Sequence, residues 1–188
     1  MKLINAALLG ATLTLSNLAL ADDYAIDTKG AHASVNFKIN HLGYSWVIGR
    51  FDTFNGSFSY DGTQPSAFRV SIDTKSVNSN HAERDKHIRG EDFLEVSTYP
   101  KATFNSTSYK AKDDMSGTLY GDFTLRGVTK PIAIDVTKIG EGKDPWGGER
   151  VGFAGSTTLT MKEFGIPMDL GPQSAEVQID LHVEGIKL

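Results

Sequence analysis

His81, Arg84, Asp85, His87 and Arg89 fall within one short stretch and carry the densest side-chain chemistry of the chain. His81 and Asp85 are four residues apart, as are Glu83 and His87, so on a helix each pair shares a face. Arg84 or Arg89 would suit a phosphate or carbonyl group of a bound molecule. The plainer reading is a solvated helix whose charges tie it to its neighbours. A metal centre needs three or four ligands, and His32, His41, His81, His87 and His182 show neither His-x-x-x-His nor Glu-x-x-His spacing. There are no cysteines to act as nucleophile or thiolate ligand. Serine, histidine and aspartate are present, but no Gly-x-Ser-x-Gly elbow holds a serine ready. No catalytic residue, no metal and no cofactor is assigned.

The elements around this stretch are of another kind. Asn80 is a good N-cap and Gly90 a good stop, which predicts one helix over residues 81–89. An irregular turn burying Phe93 and Leu94 should follow. Elsewhere apolar and polar residues alternate with the period of half-buried strands. Val35, Phe37 and Ile39 share one phase; so do Phe68, Val70 and Ile72. Ala102 and Phe104 follow, then Leu119, Phe123 and Leu125, then Ile132, Ile134 and Val136. Val151, Phe153, Leu159 and Met161 form another set, and Val177 to Val183 the last. With residues 46–60 this makes eight strands. In that segment Phe51 is odd while Phe54, Phe58 and Tyr60 are even, so either a bulge near Asp52-Thr53 resets the phase or some of these rings face outward. Asp61-Gly62, Lys112-Asp113-Asp114, Arg126 to Thr129 before Pro131, and Gly140 to Pro145 read as breaks. The fold class is all-β: a closed eight-stranded antiparallel barrel or a sandwich, with one short helix over one end.

Residues 1–21 say where this domain works. Lys2, a mostly apolar run from Leu3 to Leu20 and the small-x-small end Ala19-Leu20-Ala21 have the layout of a secretory signal peptide. The reading is cleavage after Ala21, one mature domain over residues 22–188, and a periplasmic location. Nineteen basic residues stand against 23 acidic ones, for a net charge of −4. That balance disfavours nucleic acid or an anionic membrane surface as a partner, and leaves open only a local basic patch. No second apolar run is long enough to span a bilayer, so no stable membrane insertion is expected. A homodimer stays open.

Several motifs follow one another along the domain: Asn40-His41-Leu42-Gly43-Tyr44-Ser45-Trp46, Gly49-Arg50-Phe51, the 80–89 cluster with Asp92-Phe93-Leu94, and Tyr99-Pro100-Lys101. Leu125-Arg126-Gly127-Val128-Thr129-Lys130-Pro131, Asp144-Pro145-Trp146-Gly147-Gly148, Lys162-Glu163-Phe164-Gly165 and Val183-Glu184-Gly185 complete the series. In this the chain resembles the YceI-like family of exported bacterial proteins. The resemblance implies a lipocalin-like barrel with an elongated apolar cavity for a polyisoprenoid chain, either polyprenyl or quinone-like.

The expected function is a periplasmic binding protein holding a long isoprenoid lipid as carrier or reservoir, and not an enzyme. Two alternatives stand beside it: a filled barrel with a stress-related or interaction role, and an enzyme acting on an isoprenoid or a small apolar substrate. The expected ligand-binding residues are Phe37, Ile39, Phe58, Phe68, Val70 and Ile72 from the first strands, and Phe104, Leu119 and Phe123 from the middle ones. Ile134, Val136 and Phe153 complete the lining, and Arg84 is the polar candidate for a head group. Trp146 reads as a hydrophobic plug sealing its loop, or else as a loop tip near the cavity mouth.

Overall fold

The computed structural model describes residues 21–188; the leader peptide read at residues 1–21 lies outside them, apart from Ala21. Eleven strands run in the order β1 (Asp22–Ile26), β2 (Ser34–His41), β3 (Ser45–Phe51), β4 (Phe54–Tyr60), β5 (Pro65–Asp73), β6 (Val77–Asn78), β7 (Lys101–Ala111), β8 (Ser116–Leu125), β9 (Val128–Lys143), β10 (Glu149–Thr160) and β11 (Glu176–Lys187). One helix, α1 (Ala82–Ile88), lies between β6 and β7. Every pairing is antiparallel.

The sheet closes where β1 meets β11, with Tyr24 opposite Lys187 and Ile26 opposite Gly185. β11 also pairs β2, through Val177 to His182. β1 and β2 are thus two halves of one barrel strand interrupted by the loop 27–33. β3 and β4 are likewise one strand broken at Asp52-Thr53, because β2 pairs β3 while β1 pairs β4. The break resets the phase, so Phe51, Phe54, Phe58 and Tyr60 all pack inward. β6 likewise continues β5 past the 3-10 turn Thr74–Ser76, because β5 pairs β4 while β6 pairs β3, and counted this way the barrel has eight strands. Closure leaves few exposed edges.

Local chemistry explains most boundaries. Arg126 and Gly127 both have positive φ (51° and 73°), the two-residue turn that joins β8 directly to β9. Pro131 therefore lies inside β9, opposite Asp122, and not ahead of it. The strand tolerates it because β10 pairs β9 only over Asp135 to Lys143, so no ladder hydrogen bond is wanted there. Residues 140–143 are strand as well, and the turn is Asp144 to Gly148, held by the Asp144 carboxylate accepting from the Trp146 and Gly148 N–H groups. The cap of α1 is His81, not Asn80: its Nδ1 accepts from Arg84 N–H at 3.2 Å, while Asn80 sits one residue outside at φ 60°. Gly49 and Gly185 are spots where a Cβ would collide with the Phe37 and Phe58 rings, so both rings lie flat on bare backbone.

Candidate functional site

The barrel interior is divided along its length. At one end it is filled. Tyr24 stacks on Phe58 with centroids 5.4 Å apart, Phe58 stacks on Phe68 at 4.7 Å, and Phe153 meets both Phe58 and Tyr60 edge-on. Such pairs add to the burial term of large rings, so this end is a packed plug. Above the plug is a small chamber of about 110 Å³. Above that a larger one of about 360 Å³ lies under α1 and the turn after it. Phe51, Phe123, Leu159 and Ile179 line both chambers and form the waist between them. The larger volume falls within the range of ordinary small-molecule sites.

The expected lining residues distribute over these spaces. Phe37, Ile39, Phe123 and Arg84 border the larger chamber. Phe68, Val70, Phe104, Leu119, Ile134, Val136 and Phe153 border the smaller one, with Phe123 shared. Phe58 and Ile72 border neither: Phe58 belongs to the plug, and Ile72 packs against Val35 and Ala102 in the wall. Sequence reasoning missed Met161, Phe164, Ile166 and Leu170, which close the larger chamber from the 3-10 turn Met161–Phe164 and the segment after it. Met161 reads in the sequence only as the end of a strand set, and the alternation of Phe164, Ile166 and Leu170 with Gly165, Pro167 and Asp169 is the signal for the rest. It also missed Leu94 and Ile88 as lining, although the burial of Leu94 was expected.

Polar groups reach the larger chamber only from its cap: Asn40, His41, Arg84, His87 and Ser174. Most are already engaged. Arg84 donates from Nε to Ser79 Oγ at 2.7 Å and from Nη2 to Ser79 O at 2.6 Å. Ser174 Oγ donates to Asn40 O and accepts from Leu42 N–H. His87 Nε2 lies 3.0 Å from Asp92. Asp85, buried beneath, accepts from the Ser79 hydroxyl and N–H. Burial works against its charge, but those donors, with Arg89 and Arg84 near, hold its carboxyl below the usual carboxylate range. The arrangement positions a cap over the chamber.

The cap is pinned from the side by Arg126. Its guanidinium donates to Gly165 O at 2.7 Å, Glu91 O at 2.9 Å and the Glu95 carboxylate at 2.7 Å, and lies over the Tyr99 ring. One side chain in the β8–β9 turn thus ties together the segment after α1 and the 3-10 turn that closes the chamber.

A second polar cluster lies at the plugged end. Asp27, His32 and Glu184 bring ligand-type atoms within 4.8 Å of one another. The oxygens a metal would use are already hydrogen-bonded to Arg150, whose Nη1 donates to Asp27 at 2.8 Å and to Glu184 at 2.6 Å. The Arg150 hydrogen bond outweighs burial and, with His32 and the Gly30 N–H, lowers the Asp27 pKa to about 2. Trp146, in the neighbouring turn, plugs nothing: it is 83% exposed, and its turn lies at the end away from the open chamber.

The profile of the YceI-like domain matches residues 24–185, almost the whole described chain. The chain belongs to the YceI-like family. Within that family it is 56% identical to a UPF0312 protein of Shewanella sp. (strain W3-18-1), covering 99% of this chain and 98% of that one. It is 55% identical to the UPF0312 protein of Shewanella oneidensis over the same shares. Among solved YceI-like structures it is similar to the YCEI protein of Campylobacter jejuni, with a TM-score of 0.74 and 27% identity over 80% of this chain and 90% of that one. A polyisoprenoid binding domain from Saccharophagus degradans, implicated in plant cell wall breakdown, shares the fold with a TM-score of 0.63 at 16% identity, over 88% of this chain and 98% of that one.

Proposed function

We propose that this YceI-like protein binds the apolar chain of an isoprenoid lipid, polyprenyl or quinone-like, as a carrier or reservoir. The observation that carries the reading is the two-chamber cavity, lined by side chains of almost purely apolar type and closed at one end by stacked rings. Such a space rewards a long, thin hydrocarbon by about 25 cal/mol for each Å² removed from water. The domain of similar fold that binds polyisoprenoid supports the same ligand class. Arg84, His87 and Ser174 at the cap are hydrogen-bonded to other protein groups, which favours binding over catalysis. A wholly filled barrel fits poorly with the larger chamber. The leader-like residues 1–21 support a periplasmic place of work.

Delipidated protein titrated with a polyprenyl alcohol should show a saturable rise in melting temperature, as expected for a ligand that binds only the folded state. A melting temperature indifferent to polyprenyl and quinone probes alike would refute the proposal. Cell fractionation with N-terminal sequencing tests the location: the periplasmic protein should begin Asp22-Asp23-Tyr24.

A further inference from the structure

The β2–β3 hairpin carries the least expected surface of the molecule. Leu42, Tyr44, Trp46 and Ile48 are 50%, 86%, 49% and 65% exposed, and they follow one another at every second residue. Trp46 and Ile48 share the outer face of β3, opposite Asn40 and Lys38 of β2. Leu42 and Gly43 form the turn with φ of 55° and 84°. Asn-Gly is favoured there, and the left-handed region disfavours a leucine. The chain thus holds a large apolar residue at a hairpin tip against its backbone preference. Leu42 also borders the larger chamber, so one end of the stripe meets the chamber's lining.

We propose that this hairpin docks the protein on an anionic phospholipid surface, setting the chamber mouth against the bilayer; the inference rests on the lipid-binding reading above. An isoprenoid chain leaving an apolar cavity through water would lose its burial, so its exit should meet hydrocarbon. Tyrosine and tryptophan suit the membrane interface, where an apolar ring and a polar tip are both satisfied. The chain's net charge of −4 opposes an anionic surface overall, but Lys38, with its Nζ 5.5 Å from the Trp46 ring centre, forms no ion pair among the described residues and offers local positive charge to lipid phosphates beside the stripe. The stripe is four side chains wide, against roughly 20–30 residues per side in a stable protein interface. That area fits shallow insertion into lipid better than a second copy of the chain.

The chain has two tryptophans, Trp46 on the hairpin and Trp146 at the opposite end. Lipid-loaded Trp146→Phe protein, titrated with phosphatidylethanolamine–phosphatidylglycerol vesicles, should show a blue-shifted Trp46 emission quenched by bromine-labelled acyl chains. Trp46→Phe protein, reporting from Trp146, should show neither change. Tyr44→Ser should weaken vesicle binding on the order of tenfold while the bound isoprenoid and the melting temperature stay unchanged. Lys38→Glu should weaken it on these vesicles and not on phosphatidylcholine. Quenching of Trp146 but not Trp46 would overturn the proposal, as would absence of vesicle binding by protein shown by mass spectrometry to carry its lipid. So would a vesicle-free dimer that Tyr44→Ser dissociates, since the stripe would then serve a second copy. Vesicle binding by protein without cavity lipid would sustain the docking surface and fault the carrier reading instead.

Discussion

Phe58 and Phe68 stack with ring centroids 4.7 Å apart and planes inclined by 17°, and that pair makes the barrel a blind tube. Phe68 faces the small chamber, and Phe58 lies behind it in contact with Tyr24 and Phe153. A chain bound under α1 as proposed would pass the waist at Phe51, Phe123, Leu159 and Ile179 and end on the Phe68 ring.

The floor should set the length of chain that fits. Phe68→Ala costs about 3–5 kcal/mol as a large-to-small core change, and it deepens the small chamber. Bound lipids analysed by mass spectrometry should shift to longer chains. An unchanged length distribution would show that the floor does not measure the ligand.

Filling the chambers should separate binding from stability. Ile39→Trp, in the larger chamber, should abolish lipid binding and leave the melting temperature near that of lipid-free wild type. Val70→Trp, in the smaller one, should restrict binding to shorter chains. A packed core would answer both with a loss of roughly 1–3 kcal/mol of stability, read by chemical denaturation.

The Arg126 clamp should govern how the cap opens. Arg126→Ala removes three donated hydrogen bonds and frees the partly buried Glu95 carboxylate. A loss of about 2 kcal/mol is expected, with faster amide exchange at residues 91–96 and faster lipid release. Exchange unchanged there would mean that α1 and its turn hold without the clamp.

Alternation along the strands made the barrel legible, because in a closed sheet one face of every strand is buried and the sequence must repeat every two residues. The phase change between Phe51 and Phe54 located the strand break for the same reason. β1 was not legible: Asp22 to Ile26 opens with two acids and gives too few residues to show a period. Nor was the place of Pro131, which depends on where β10 stops pairing. The cavity was legible only as a class of residues. Phe58 and Phe68 have the same phase relation to the interior, yet one lies inside the plug and the other forms its face toward the chamber, because emptiness is decided by rings from four strands meeting in space. The head-group role expected of Arg84 meets an arginine committed to Ser79, five residues away, a bond no helical spacing announces.

The plugged end should show its own pH dependence. Asp27 has its pKa lowered to about 2 from an ordinary value of 3.8, chiefly by its hydrogen bond from Arg150. A depressed carboxylate stabilises the fold above the unfolded value and loses that contribution as pH falls through the folded one. Wild type should therefore lose stability between about pH 4 and pH 2, while Asp27→Asn should be weaker at neutral pH and flatter over that window. Equal acid limbs in thermal melts of the two proteins would contradict the assignment.

Native mass spectrometry of the protein purified without detergent from its native host tests the central claim most directly. A single isoprenoid chain per barrel is expected in the wild type, absent from Ile39→Trp at equal folding. Wild-type protein carrying no lipid, or Ile39→Trp retaining the same lipid in the same amount, would contradict a ligand housed in this cavity.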